Sequence, residues 1–115
     1  MKPSLDADLV YVAHMIECID RVLKYCEGGK SSFRQSHLIQ DAVIRNLQTM
    51  AESSQRLSES TKTIASDVPW RAMSGFRNII VHDYLGVDLD MVWQVVSADL
   101  PALQAALLKI NSTPV

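Results

Sequence analysis

Apolar residues at the start of the chain keep helical time. Leu9, Val12, Ile16, Ile19, Leu23 and Cys26 recur at intervals of three and four, which predicts one stripe along an amphipathic helix. Asp6 and Asp8 stand near its start, where the helix dipole favours negative charge, and Gly28-Gly29 is a natural stop. Lys30 to Gln35 reads as a polar connector leading to Ser36, a candidate N-cap. The helix it opens runs to about Leu57, with Leu38, Ala42, Val43, Leu47, Met50, Ala51 and Leu57 predicted to face inward. Ser58 to Asp67 is rich in Ser and Thr and reads as a loop or a frayed helix end. Pro69 fits the first turn of a third helix, on which Trp70, Met73, Phe76, Ile80 and Tyr84 continue at helical spacing toward Gly86. Asp88 caps a short fourth segment with Leu89, Val92, Trp93 and Val96 apolar. Pro101 then either kinks that segment or starts a fifth, which carries Leu103, Ala106, Leu107 and Ile110.

Four or five such helices in 115 residues predict an all-α, antiparallel up-and-down bundle that makes a single domain over residues 1–115. Only four Gly and four Pro are available for tight turns, which agrees with long helices. The formal net charge of −2 removes the bulk-electrostatic case for a nucleic-acid coat protein, so any RNA contact must be local. Cys18 and Cys26 belong to no CxxC or Cys/His cluster, which points to buried free thiols and away from a disulfide framework or a metal site. No uninterrupted apolar stretch approaches the roughly 18 residues that span a membrane, so a cytoplasmic protein with no membrane partner is expected. Gly28-Gly29 follows a helix instead of opening one, so no phosphate-cradling loop is present and no cofactor is implied.

The third helix holds the anomaly. Arg77, Asn78, His82 and Tyr84 place four chemically capable groups in an otherwise apolar run. At about 100° per residue, Arg77 and Tyr84 share an azimuth while His82 is turned roughly 140° from Arg77. Either the helix ends near His82, or two copies of the chain cooperate around a cleft on a two-fold axis. Each residue also has a plain structural reading: His82 as a helix-end dipole partner, Arg77 as a partner for Glu52 or Asp83, Tyr84 as a ring at the core edge. His14 and His37 keep the plain reading, Arg45-Asn46 reads as solvated face, and Trp70 and Trp93 read as core rings. On spacing alone the role of the domain stays open.

The Arg-x4-His-x-Tyr arrangement of Arg77, His82 and Tyr84 resembles the HepT toxins of the HEPN ribonuclease superfamily. Further phrases are similar to that family in the same order: Gln40-Asp41-Ala42-Val43-Ile44-Arg45-Asn46-Leu47, Val68-Pro69-Trp70, Val87-Asp88 and Val92-Trp93. The likeness thus covers nearly the whole chain. Gly75-Phe76 stands where the family often has Gly-Met before the Arg-Asn pair, which leaves the motif intact.

The resemblance implies a homodimeric toxin of a toxin–antitoxin pair that cleaves RNA without a metal. In that setting His82 acts as general base on the ribose 2′-hydroxyl or as general acid for the leaving oxygen. Arg77 braces the scissile phosphate, Asn78 supports it, and Tyr84 is the residue that a nucleotidyltransferase antitoxin adenylylates to silence the toxin. The alternative from another class is a non-catalytic HEPN-type binding module that docks a nucleotidyltransferase; the acidic pI near 5.8 and the lack of a visible basic track favour it.

Overall fold

In the computed structural model, the described residues are 3–64, 66, 68, 70, 73 and 88–112. Among them regular structure is entirely helical, as an all-α bundle requires. The first helix, α1 (Pro3–Tyr25), is long because nothing in it breaks the 3.6-residue rhythm after Pro3. Its fully buried line is Val12, Met15, Ile19 and Val22, continued by Cys26. The predicted stripe is therefore right in period and turned by a step: Leu9, Ile16 and Leu23 flank the core and are only partly buried. Glu27 and Gly29 donate their N–H groups three residues back, to Lys24 and Cys26, tightening the chain out of the helix. Gly29 then takes φ of +89°, a left-handed conformation that side-chain-bearing residues rarely adopt.

The segment after the turn is helical, where the polar pattern predicts a connector. Gly29–Gln35 forms a short helix, α2, because Phe33 is drawn completely into the core and its ring lies 5.5 Å, centre to centre, from that of Trp93. The buried Gln40 side chain donates to the carbonyls of Phe33 and Arg34, satisfying the end of α2. Ser36 caps the next helix, α3 (His37–Gln55), by accepting from Ile39 N–H at 3.1 Å. Val43, Leu47, Met50 and Ala51 face the core, whereas Leu38, expected inside, is 80% exposed on the first turn. The Ser/Thr stretch also departs from expectation and forms α4 (Glu59–Ile64).

Asp8 explains why α4 forms. Its carboxylate is buried on α1 and accepts from Ser58 N–H at 2.9 Å, Ser58 Oγ at 2.5 Å and Thr61 Oγ1 at 2.6 Å. Burial by itself pushes this carboxyl upward. The two hydroxyls, the Ser58 amide and the positive charge of Lys62 outweigh burial and hold it below its ordinary value. A depressed carboxyl stabilises the fold fully above the ordinary aspartate range and loses that contribution as pH falls through the lowered value. Asp8→Asn is thus expected to cost about 2 kcal/mol near neutrality and to flatten the acid limb of a stability–pH curve measured by urea melts. An unchanged acid limb would remove Asp8 as its origin.

The C-terminal part opens with α5 (Leu89–Gln94), capped by Asp88, whose carboxylate accepts from Asp90 N–H at 2.9 Å. Between it and the last helix, α6 (Leu100–Ser112), lies one π-helical turn, Val95–Asp99, closed by Leu100 N–H donating to Val95 C=O. Pro101 has no N–H to give and its ring would strike the carbonyl of Ser97 in an undisturbed α-helix. The wider turn makes the room, and Pro101 sits in the first turn of the separate helix Leu100–Ser112, as the second of the two expectations has it. The run Leu89–Asn111 has the length and mean hydropathy that could cross a membrane, although Asp90, Asp99 and Lys109 interrupt it; 28% of its apolar window is buried in the bundle. Around α1 the elements close: α3 and α6 pack along it, α2 lies on α3, and α4 meets α1 near Asp8.

Candidate active site

Arg77, Asn78, His82 and Tyr84 lie outside the described residues, as do Phe76 and Ile80 of the same predicted helix. What the structure defines is how the chain is held on either side of them. On the upstream side Val68 and Met73 join the core, and Trp70 packs against it. The indole N–H of Trp70 donates to the Lys62 carbonyl at 3.3 Å, tying this stretch to the end of α4. On the downstream side Val92 is fully buried and Trp93 rests on Phe33, so α5 is fixed at its first turns. Both tryptophans are partly buried rings of the bundle, as their spacing among apolar residues predicts.

Beside these flanks stands a cationic face that sequence reasoning missed. Arg34 and Lys30 of α2 both pair with Asp90 of α5, the Lys30 Nζ at 3.6 Å from the carboxylate. With Ser31 and Gln35 they line an open concavity of 590 Å³. The signal is present in the sequence: from Gly28 to Gln40 there is no acidic residue, while Lys30 and Arg34 stand one helical turn apart. Reading Lys30–Gln35 as a connector conceals it, because a connector has no face.

The other candidate groups that lie among the described residues have plain places in the fold. His14 Nδ1 lies 3.0 Å from Ser53 Oγ and its Nε2 lies 3.9 Å from Cys18 Sγ, which makes it a satisfied link between α1 and α3. His37 is exposed at the start of α3. Arg45 is solvated and Asn46 donates to the Ala42 carbonyl at 2.8 Å. Cys18 and Cys26 are free and buried, and burial pushes both thiols up, away from the nucleophilic thiolate. No group of three or more His, Cys, Asp or Glu side chains able to hold a metal ion occurs among the described residues.

The chain resembles known proteins along most of its length. It is 32% identical over 102 residues to a Methanocaldococcus jannaschii protein whose name pairs a gamma-glutamylcyclotransferase with an RNase; the match covers 88% of this chain and 46% of that protein, so the chain spans about half of that relative. A second M. jannaschii protein, named as an RNase, is 34% identical over 95 residues, covering 82% of this chain and 87% of the relative. A Thermococcus cleftensis protein named "Probable ribonuclease HepT" is 32% identical over 111 residues, 96% of this chain and 99% of its own length. No solved structure matches the chain. Residues 15–110 match the family described as ribonuclease HepT-like, so the all-α bundle built around α1 belongs to the HepT-like ribonucleases.

Proposed function

We propose that the protein is the toxin of a toxin–antitoxin pair: a cytoplasmic, metal-independent endoribonuclease whose site is a cleft shared by two copies of the chain. The observation that carries this reading is the coincidence of the family match with an intact Arg77-x4-His82-x-Tyr84 set. His82 as general base removes the proton of a ribose 2′-hydroxyl, and the 2′-oxygen attacks the adjacent phosphorus. The bond from phosphorus to the 5′-oxygen breaks, and the leaving oxygen takes a proton from an imidazolium, so the products carry a 2′,3′-cyclic phosphate and a 5′-hydroxyl. A second copy supplies a second His82, which allows base and acid to come from different protomers. Arg77, a planar donor that stays charged, stabilises the phosphorane charge, and Asn78 orients the phosphate or the imidazole.

Tyr84 is the regulatory position in this reading. A nucleotidyltransferase antitoxin transfers adenylyl to its hydroxyl: the phenol oxygen bonds to the α-phosphorus of ATP, the α–β anhydride breaks and pyrophosphate leaves, placing a phosphate that competes with RNA for Arg77. Tyr84→Phe is expected to keep RNA cleavage while abolishing labelling by radiolabelled ATP and that partner; continued labelling of the Phe variant would overturn the assignment. The activity itself is tested by incubating a labelled RNA pool with purified protein in excess EDTA. Cleavage leaving 2′,3′-cyclic ends supports the ribonuclease reading. Intact RNA, from protein shown by mass spectrometry to be unmodified at Tyr84, would favour the non-catalytic HEPN-type binding module, the reading to which the acidic pI of 5.8 lends weight.

A further inference from the structure

We propose that the open face of α2 is a docking track for the phosphate backbone of the RNA, with Asp90 as a built-in anion that the RNA displaces. This rests on the reading of RNA as substrate. Lys30 and Arg34 stand one turn apart on the same face, and so do Ser31 and Gln35, whose side chains bond to each other at 3.1 Å. At about 5–6 Å between Cβ atoms, groups so spaced can grip neighbouring phosphates of one strand. The cationic side chains are half exposed, at 52% for Lys30 and 48% for Arg34. Their common partner, Asp90, is itself 61% exposed. One carboxylate therefore serves two cations and leaves a unit of positive charge in a chain whose sum is −2. Among the described residues, this pairing engages a minority of the three ammonium and five guanidinium donors.

The platform is rigid. Phe33, between the two cations in sequence, is fully buried, and Gln40 clamps the carbonyls of Phe33 and Arg34. A backbone held this way fixes the positions from which the two cations project, so binding orders side chains and no main chain. Among the described residues the concavity is lined by Lys30, Ser31, Arg34 and Gln35, whose aliphatic stems carry two cationic heads, with no aromatic ring of the kind that centres a protein–protein contact. Contacts of this type read the backbone and carry no base sequence. Asp90 opens α5, the first helix after the stretch that carries the motif, so RNA and this carboxylate compete where the two parts of the chain meet.

Binding is measured by fluorescence anisotropy with a 2′-O-methyl oligoribonucleotide, which offers no 2′-hydroxyl to be cleaved, longer than the ~4–16 nucleotides that small single-strand binders cover. The double variant Lys30→Gln/Arg34→Gln is expected to weaken binding about tenfold at low salt and to reduce the slope of log K against log salt by about 1.4, two single-strand phosphate contacts. Asp90→Asn should act with the opposite sign and tighten binding by about threefold, since it releases both cations. In a cleavage assay the double variant should raise KM on long RNA more than it raises KM on a dinucleotide, which is too short to reach the track. An affinity and salt slope unmoved by the double variant, with native circular dichroism, would overturn the track and leave the face to an acidic protein partner. Should the binding result hold while wild-type protein cuts nothing, the ribonuclease reading fails and the track stands.

Discussion

His82→Ala is expected to lower RNA cleavage by about 10²- to 10⁴-fold, the range that general acid–base groups supply. The measurement is the initial rate on a labelled RNA in EDTA, beside a circular-dichroism melt that shows the variant folded. The matched control should be His37→Ala, because His37 is solvent-exposed at the first turn of α3. His14→Ala would be a misleading control: His14 bridges Ser53 and Cys18, so its loss disturbs the joint between α1 and α3. Full activity in a folded His82→Ala variant would remove this histidine from the chemistry. Toxicity on expression should follow the same order, with growth restored by His82→Ala and unaffected by His37→Ala.

Phe33→Ala is expected to cost about 3–5 kcal/mol, since it empties a fully buried site and strips Trp93 of its ring partner. For a chain of this size that is a fall in Tm of roughly 12–20 °C. Phe33→Leu keeps an apolar filling and should lose markedly less. The same loss weakens α2 as a platform, so the RNA affinity of the Ala variant should fall with its stability while that of the Leu variant survives. A drop of only a few degrees in the Ala variant would mean that α2 is not docked as described.

The parts of this fold that could be read from the sequence are those set by local chemistry. Ser36 and Asp88 announce their helices because a short side-chain oxygen ahead of an apolar repeat has one obvious use, accepting an orphan N–H. The period of α1 is equally plain. Its phase is not, because Met15 and Val22 stand beside Ile16 and Leu23, equally apolar, and only the packing of α3 and α6 decides which line goes inside. Two elements escape a local reading because tertiary contacts make them. A polar heptapeptide becomes α2 through the burial of Phe33 and the clamp of Gln40 on its last carbonyls, and a Ser/Thr stretch becomes α4 because Asp8, fifty residues away, accepts its hydroxyls. The wide turn does leave a trace: Val92, Val96 and Leu100 are spaced four and four, more than two α-helical turns, which a π-turn takes up. The candidate chemistry is legible as a motif and as a family likeness. The cationic face becomes visible only once Lys30 and Arg34 are known to share a helix.

The central place of α1 has a consequence for the order in which the molecule is made. Val12, Met15, Ile19 and Val22 are fully buried on a helix against which both α3 and α6 pack. A ribosome adding ~5–20 residues per second produces Leu100 roughly 4–18 s after Val12. For that interval the nascent chain carries a half-clothed apolar ridge, open to chaperones, to proteases or to a second chain. Completion of the core therefore waits on the arrival of Leu100–Ser112, the last helix to pack against α1.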